Sequence, residues 1–256
     1  MARRAGTGAA AAVRVPGGVR CTPRARASLD RGACAKLESM STVRTLDDRD
    51  AAVAEVIDAL RASLLVVVPT DTVYGLIADA FDVRATSALR GAKGLSPTAP
   101  LTVLIRNPRQ VAGLVADIPE AADRLMASYW PGPLTMILPA TDGLTWDVGP
   151  PATVALRMPT DDLLLEVIAD IGPLVCTSAV RPVHELPRTV EDAHDSLDDR
   201  VALYIDGGPR EGEVSTIVDL TRMRAGVLRG GAVPSADVEL VAAGRVGWGR
   251  TPDETT

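Results

Sequence analysis

Five consecutive apolar residues, Leu64 to Val68, stopped by Pro69, constrain this chain more than any other feature. The run is short, unbroken and rich in β-branched side chains, so it reads as a strand buried on both faces. Such a strand needs helices above and below its sheet. One of them precedes it: residues 46–62 place Val53, Val56, Ile57 and Leu60 at i, i+3, i+4 and i+7 behind acidic residues, the pattern of an amphipathic helix.

The same reading predicts strands at Leu101–Ile105, Leu134–Leu138, Thr153–Arg157, Leu174–Thr177, Val201–Ile205, Ser215–Asp219 and Ala225–Arg229. Helices fit at Val83–Ala92, Pro108–Val115, Pro119–Tyr129, Asp161–Ile171 and Thr189–Leu197. Strands alternate with helices early and crowd together late, which predicts an α/β fold with a mixed sheet. No internal repeat is visible.

The net charge of −6 is unevenly spread, because residues 1–39 hold eight basic and two acidic side chains and leave −12 on the remainder. A body this acidic repels nucleic acid at long range, so an RNA contact needs a local basic cleft. The first 39 residues, rich in Ala, Gly, Pro and Arg, read as a disordered basic extension. A transit peptide, a nucleic-acid arm, or translation starting at Met40 are the alternatives. Residues 40–240 form the expected folded domain, and 241–256 a polar, flexible tail. No apolar run is long enough to cross a bilayer and no secretory signal opens the chain, so no membrane partner and a cytoplasmic location are expected. Cys21, Cys34 and Cys176 make no CxxC pair, and with only His184 and His194 available a structural zinc site is not expected.

Of 27 basic residues only Lys36 and Lys93 are Lys, so a Lys kept in the body suggests a need for a compact ammonium with three donors. Lys93 sits at a helix end in AKGLSPTAPL, before a Gly and Pro loop that lacks the P-loop pattern. Thr70, Asp71, Thr72 and Tyr74 follow the buried strand, where α/β sheets commonly bind ligands, although Thr and Asp there can also bond their own turn. Arg157 ends a strand in VALRMP, where a guanidinium can clamp a carboxylate. Ser178 ends another, suited to a phosphate or to capping a helix. Ser215 in STIVD and Arg229 in VLRGGA close the series, while Trp130 in YWPGPLT reads as core. Neither His sits in a nucleophilic constellation.

Taken in order, PTDTVYGL, the Lys93 loop, WPGPLT, VALRMP, the Ser178 segment, STIVD and LRGGA resemble the YrdC-type threonylcarbamoyl-AMP synthase family over about residues 45–235. The resemblance implies a YrdC-like three-layer fold with a twisted mixed β-sheet. It also implies a cytoplasmic nucleotidyltransferase condensing L-threonine, bicarbonate and ATP to threonylcarbamoyl-AMP and pyrophosphate for tRNA modification, with Mg²⁺ carried on the phosphates and with double-stranded RNA, tRNA or tRNA-modification proteins as partners. By the same resemblance Thr70, Thr72, Tyr74 and Arg157 bind threonine. Lys93, Ser178, Ser215 and Arg229 contact the nucleotide, and Lys93 and Arg157 are the catalytic pair. Two departures stand out. Leu95 occupies an Arg position of the family's loop, and Val180, Arg181, Pro182 and Val183 replace an Asn and a small flexible pair; many members also have His where Leu104 stands. These departures keep open a divergent paralogue that binds nucleotide or RNA without synthesis, and a carbamoyltransferase domain with another acceptor.

Overall fold

A computed structural model describes residues 41–182 and 184–245. The basic extension expected over residues 1–39 and the tail from 246 lie outside the described residues. Among those described, ten strands form one sheet in the order β1-β8-β2-β3-β7-β4-β6-β5-β9-β10. They are β1 (Thr42–Thr45), β2 (Val66–Val68), β3 (Gly75–Asp79), β4 (Thr102–Leu104), β5 (Leu134–Pro139), β6 (Thr153–Arg157), β7 (Leu174–Ser178), β8 (Leu203–Asp206), β9 (Thr216–Asp219) and β10 (Gly226–Arg229). Four pairings, β1 with β8, β8 with β2, β4 with β6 and β5 with β9, are parallel, and the rest are antiparallel. The sheet is mixed, as the sequence predicts.

Its two faces are covered unequally. Helices α1 (Arg49–Arg61) and α4 (Asp162–Ile171) pack on one face, where Val56, Leu60, Leu164 and Val167 meet Val66, Val68, Ile77 and Leu104. The other carries α2 (Val83–Lys93), α3 (Glu120–Tyr129), α5 (Val190–Leu197) and α6 (Ser235–Ala242), packed on Val67, Leu76, Val103, Leu156 and their neighbours. Strand residues alternate between the two clusters, as the period of two demands. Two helices are too few to roof ten strands, so part of the first face is left for a cavity.

Several expected elements differ. Gly75–Asp79 is a strand where the sequence reading assigns no element, because Tyr74 and Gly75 return the chain sharply enough for β3 to pair antiparallel with both β2 and β7. The edge strand β1 is a four-residue polar segment whose order comes from its parallel partner β8, and α6 has Pro234 at its start with no side-chain cap. Residues 108–113 form a 3-10 helix, started by Pro108 and a reciprocal cap between Asn107 and Gln110. Trp130 is core as expected, 8% exposed, with its indole N–H donating to the carbonyl of Leu134.

Arg90, in the last turn of α2, is 2% exposed. Its guanidinium donates to the carbonyl of Ala99 at 2.9 Å, to Asp147 Oδ2 at 2.9 Å and to the carbonyl of Asp147 at 3.1 Å. The pair thereby pins the loop after α2 against the 141–150 segment. Arg90 is buried while Asp147 is partly exposed, so its removal chiefly strands the carbonyls of Ala99 and Asp147. Arg90→Ala is therefore expected to lower the unfolding free energy by about 2–3 kcal/mol in urea denaturation; a loss within the surface-pair range of about 0–1 kcal/mol would contradict that assignment.

Candidate active site

The uncovered part of the α1 and α4 face forms the floor of a cavity of about 250 Å³. Register explains the floor. Thr102 is paired with Cys176, Leu104 with Arg157, and Ile217 with Arg229, and directly paired residues project to the same side. These side chains line the cavity together with Leu164 of α4. The sequence placed ligands at strand ends; the structure extends the cavity onto the sheet face, because α1 and α4 leave β6 and β9 uncovered.

One wall is the turn from Thr70 to Gly75. Thr70 Oγ1 donates to the carbonyl of Val73 at 2.6 Å, accepts from the Thr72 amide at 3.1 Å and lies 2.9 Å from Thr72 Oγ1. The turn is thus held by its own hydroxyls, and Thr72 presents the second one to the cavity. Gly75 is required here, since a Cβ would lie 2.8 Å from Cys176 Sγ and 3.0 Å from Thr70 Cγ2. Gly212 plays the same part opposite: a Cβ there would meet the Thr72 carbonyl at 2.7 Å, so the segment before Ser215 lies directly on the turn. The Tyr74 hydroxyl is already engaged, donating to the carbonyl of Gly208 at 2.9 Å and accepting from the Gly207 amide at 3.1 Å. Burial raises its pKa.

Arg157, 7% exposed, is the buried charge of the cavity. Its guanidinium donates to Asp71 Oδ1 at 2.6 Å, to the carbonyl of Gly132 at 3.2 Å and to Thr72 Oγ1 at 3.4 Å. Asp71 is therefore the partner of the cavity's buried charge, a place the sequence reading did not assign it; its signal was an acid inside a turn whose other members are hydroxyls. On the far rim Arg229 donates to the carbonyl of Ser215 at 2.7 Å and to Ser215 Oγ at 3.1 Å. Burial, then repulsion from Arg157, lowers the Arg229 pKa. Two guanidiniums near enough to repel each other mark this as a place for an anion.

Thr70, Thr72, Tyr74, Arg157, Ser178, Ser215 and Arg229 thus line one cavity. Lys93 reaches it differently. It belongs to α2 in the opposite layer, is 5% exposed, and its ammonium donates to Ser178 O at 2.6 Å, Thr177 Oγ1 at 2.8 Å and Ser178 Oγ at 3.3 Å. All three donors are engaged, and the charge stands behind the lining residues at the end of β7. Gly94, left-handed at φ 67°, ends α2 beside it. Cys176 lies between the charges: burial pushes its pKa up to about 11 against the pull of Arg157 and Lys93, so its thiol stays protonated. His184 borders a separate cavity and His194 packs on Tyr204, so neither His enters this one.

A protein-family profile for the Sua5, YciO and YrdC proteins, described as "Telomere recombination", matches residues 58–231. The chain belongs to this family. It is 41% identical over 189 residues to a Mycobacterium tuberculosis H37Rv protein provisionally named a threonylcarbamoyl-AMP synthase, covering 73% of this chain and 87% of that one. The Bacillus subtilis threonylcarbamoyl-AMP synthase is 36% identical over 200 residues, 77% of this chain and 58% of that protein. The crystal structure of P. abyssi Sua5 complexed with L-threonine matches with a TM-score of 0.71 and 31% identity, over 78% of this chain and 61% of that one. The chain therefore spans less than two thirds of the Bacillus and P. abyssi proteins. The three-layer mixed-sheet fold expected of the family is the one observed.

Burial pulls the Lys93 pKa from 10.5 down to about 8. The unfolded chain keeps that proton to about 10.5, so between pH 8 and 10.5 the unfolded state binds more protons and stability rises with pH; below 8 both states are protonated and the contribution is flat. Cys176 acts in the opposite sense above its ordinary 9.0, which leaves pH 8–9 as the clean window. In urea denaturation from pH 7.5 to 9, wild type is expected to gain up to about 1.4 kcal/mol per pH unit relative to Lys93→Met. Parallel curves for the two proteins would refute the buried-ammonium account.

Proposed function

We propose that the chain is an L-threonylcarbamoyladenylate synthase. The observation that carries this reading is the Arg157 guanidinium, buried on the open sheet face between the Thr70–Tyr74 turn and Arg229, in a chain of this family. In the proposed reaction the threonine amine adds to the carbon of bicarbonate, with loss of water, to give a carbamate. A carbamate oxygen then attacks the α-phosphorus of ATP, forming threonylcarbamoyl-AMP and releasing pyrophosphate, the intermediate being destined for tRNA.

The chemistry needs positioning and charge more than a proton shuttle. Thr72 and Arg157 are suited to hold threonine, whose carboxylate can take over the donors that Asp71 now shares. Arg229 and Ser215 face the side where the nucleotide would lie, and Lys93 supplies a fixed positive potential under Ser178. The cavity is just below the range of about 300–1,000 Å³ usual for drug-sized ligands, so the amino acid fits within it and the nucleotide extends beyond the mouth. Mg²⁺ would travel with the triphosphate: no group of three or more potential metal ligands gathers among the described residues, and Asp71 is committed to Arg157.

Incubation with threonine, bicarbonate, ATP and Mg²⁺ is expected to yield threonylcarbamoyl-AMP by mass spectrometry, with pyrophosphate release that depends on both threonine and bicarbonate. Arg157→Ala is expected to lower kcat/KM for threonine by about 10- to 100-fold, the cost of losing a charge-assisted hydrogen bond. Absence of the adenylate, together with failure to rescue a synthase-depleted strain, would sink the reading. Leu95 and Val180 favour the second reading, a paralogue that binds nucleotide or RNA without synthesis; nucleotide binding with no pyrophosphate release is its signature.

A further inference from the structure

The cavity has few uncommitted donors for a polyphosphate. Arg157 is paired with Asp71, Arg229 is tied to Ser215, and the ammonium of Lys93 spends its three donors on Thr177 and Ser178. Lys93 can attract a phosphate but cannot reach one without abandoning the end of β7. A ligand leaving the cavity past Ser178 needs another donor there.

Arg181 does not line the cavity but stands just beyond Ser178, beside the end of α2. It follows Ser178 by three residues, and its terminal guanidinium nitrogen lies 3.5 Å from where a Cβ would sit on Gly94, the neighbour of Lys93. Its backbone is anchored, because its amide donates to Ser196 Oγ of α5 at 2.9 Å and its carbonyl accepts from the His184 amide. The side chain is exposed, and among the described residues its guanidinium has neither a hydrogen-bond partner nor a carboxylate. A planar fork with five free N–H groups on a fixed base suits phosphate oxygens in a way that a fully bonded ammonium does not.

We propose that Arg181 is a polyphosphate-binding residue, closing on the β- and γ-phosphates of a nucleoside triphosphate across the end of β7 while Lys93 beneath supplies unshared charge. The choice of a triphosphate rests on the synthase reading; the anion-binding role of Arg181 stands without it.

The test is calorimetric titration of the full chain with MgATP and, separately, with inorganic tripolyphosphate, for wild type, Arg181→Ala and Arg181→Lys. Arg181→Ala is expected to weaken both anions by about tenfold or more, with threonine affinity unchanged. Arg181→Lys should recover part of the loss, since it restores the charge without the fork. A melting curve on each variant separates misfolding from loss of binding. Equal affinities in wild type and Arg181→Ala overturn the proposal, as does a wild type that binds neither anion. So does a variant that loses stability while keeping anion affinity, which would make Arg181 only a cap on the carbonyl end of α2. Wild-type turnover with unchanged ATP affinity in Arg181→Ala would remove Arg181 and leave the synthase reading standing.

Discussion

Lys93 and Arg157 place two positive charges within reach of one half-buried thiol, from opposite faces of the same strand, with Asp71 paired to Arg157 alone. A bare charge in such a site would be lost to neutralisation, so each needs fixed oxygens around it. Arg157 finds Asp71, Thr72 and the Gly132 carbonyl, which joins β6 to the turn after β2 and to the segment before β5. Lys93 finds Thr177 and Ser178, which joins α2 to the end of β7. The bonds that make the charges tolerable therefore also draw five chain segments around one hollow. Taking either cation away would loosen the walls as well as change the potential.

The rest of the molecule supports this by asymmetry. Four helices seal one face of the sheet, while α1 and α4 cover only part of the other. Close backbone contacts at Gly75 and Gly212 press the hydroxyl turn against the sheet on one side and the Ser215 strap on the other. The site is thus built on strands and on turns locked by their own hydrogen bonds, which leaves the side chain of Arg181 beyond Ser178 free to answer a ligand. That division suits a reaction in which positions and potentials do most of the work.

Much of this was legible in the chain. The run ended by Pro69 gave a buried strand, the i, i+3, i+4 spacing of Val53, Val56 and Ile57 gave α1, and Arg157 and Ser178 fell at strand ends. β3 was missed because its residues follow a Thr, Asp and Gly turn, and only pairing with β2 and β7 makes them extended. The Asp71 and Arg157 pair was missed because 86 residues separate them and nothing local marks an acid as another strand's partner. Leu104 was noted only as a departure, yet it lies on the cavity floor.

Local pattern determined which residues could be strand, helix or turn, since those choices rest on side-chain periodicity and on the φ and ψ preferences of a few neighbours. It also fixed the inventory of hydroxyls and cations. Tertiary structure decided what each of them does. Whether an ammonium faces a ligand or stands behind the wall, and whether a guanidinium is paired or free, depends on strand order and helix coverage, and those follow from burying the whole sheet at once rather than from any single segment.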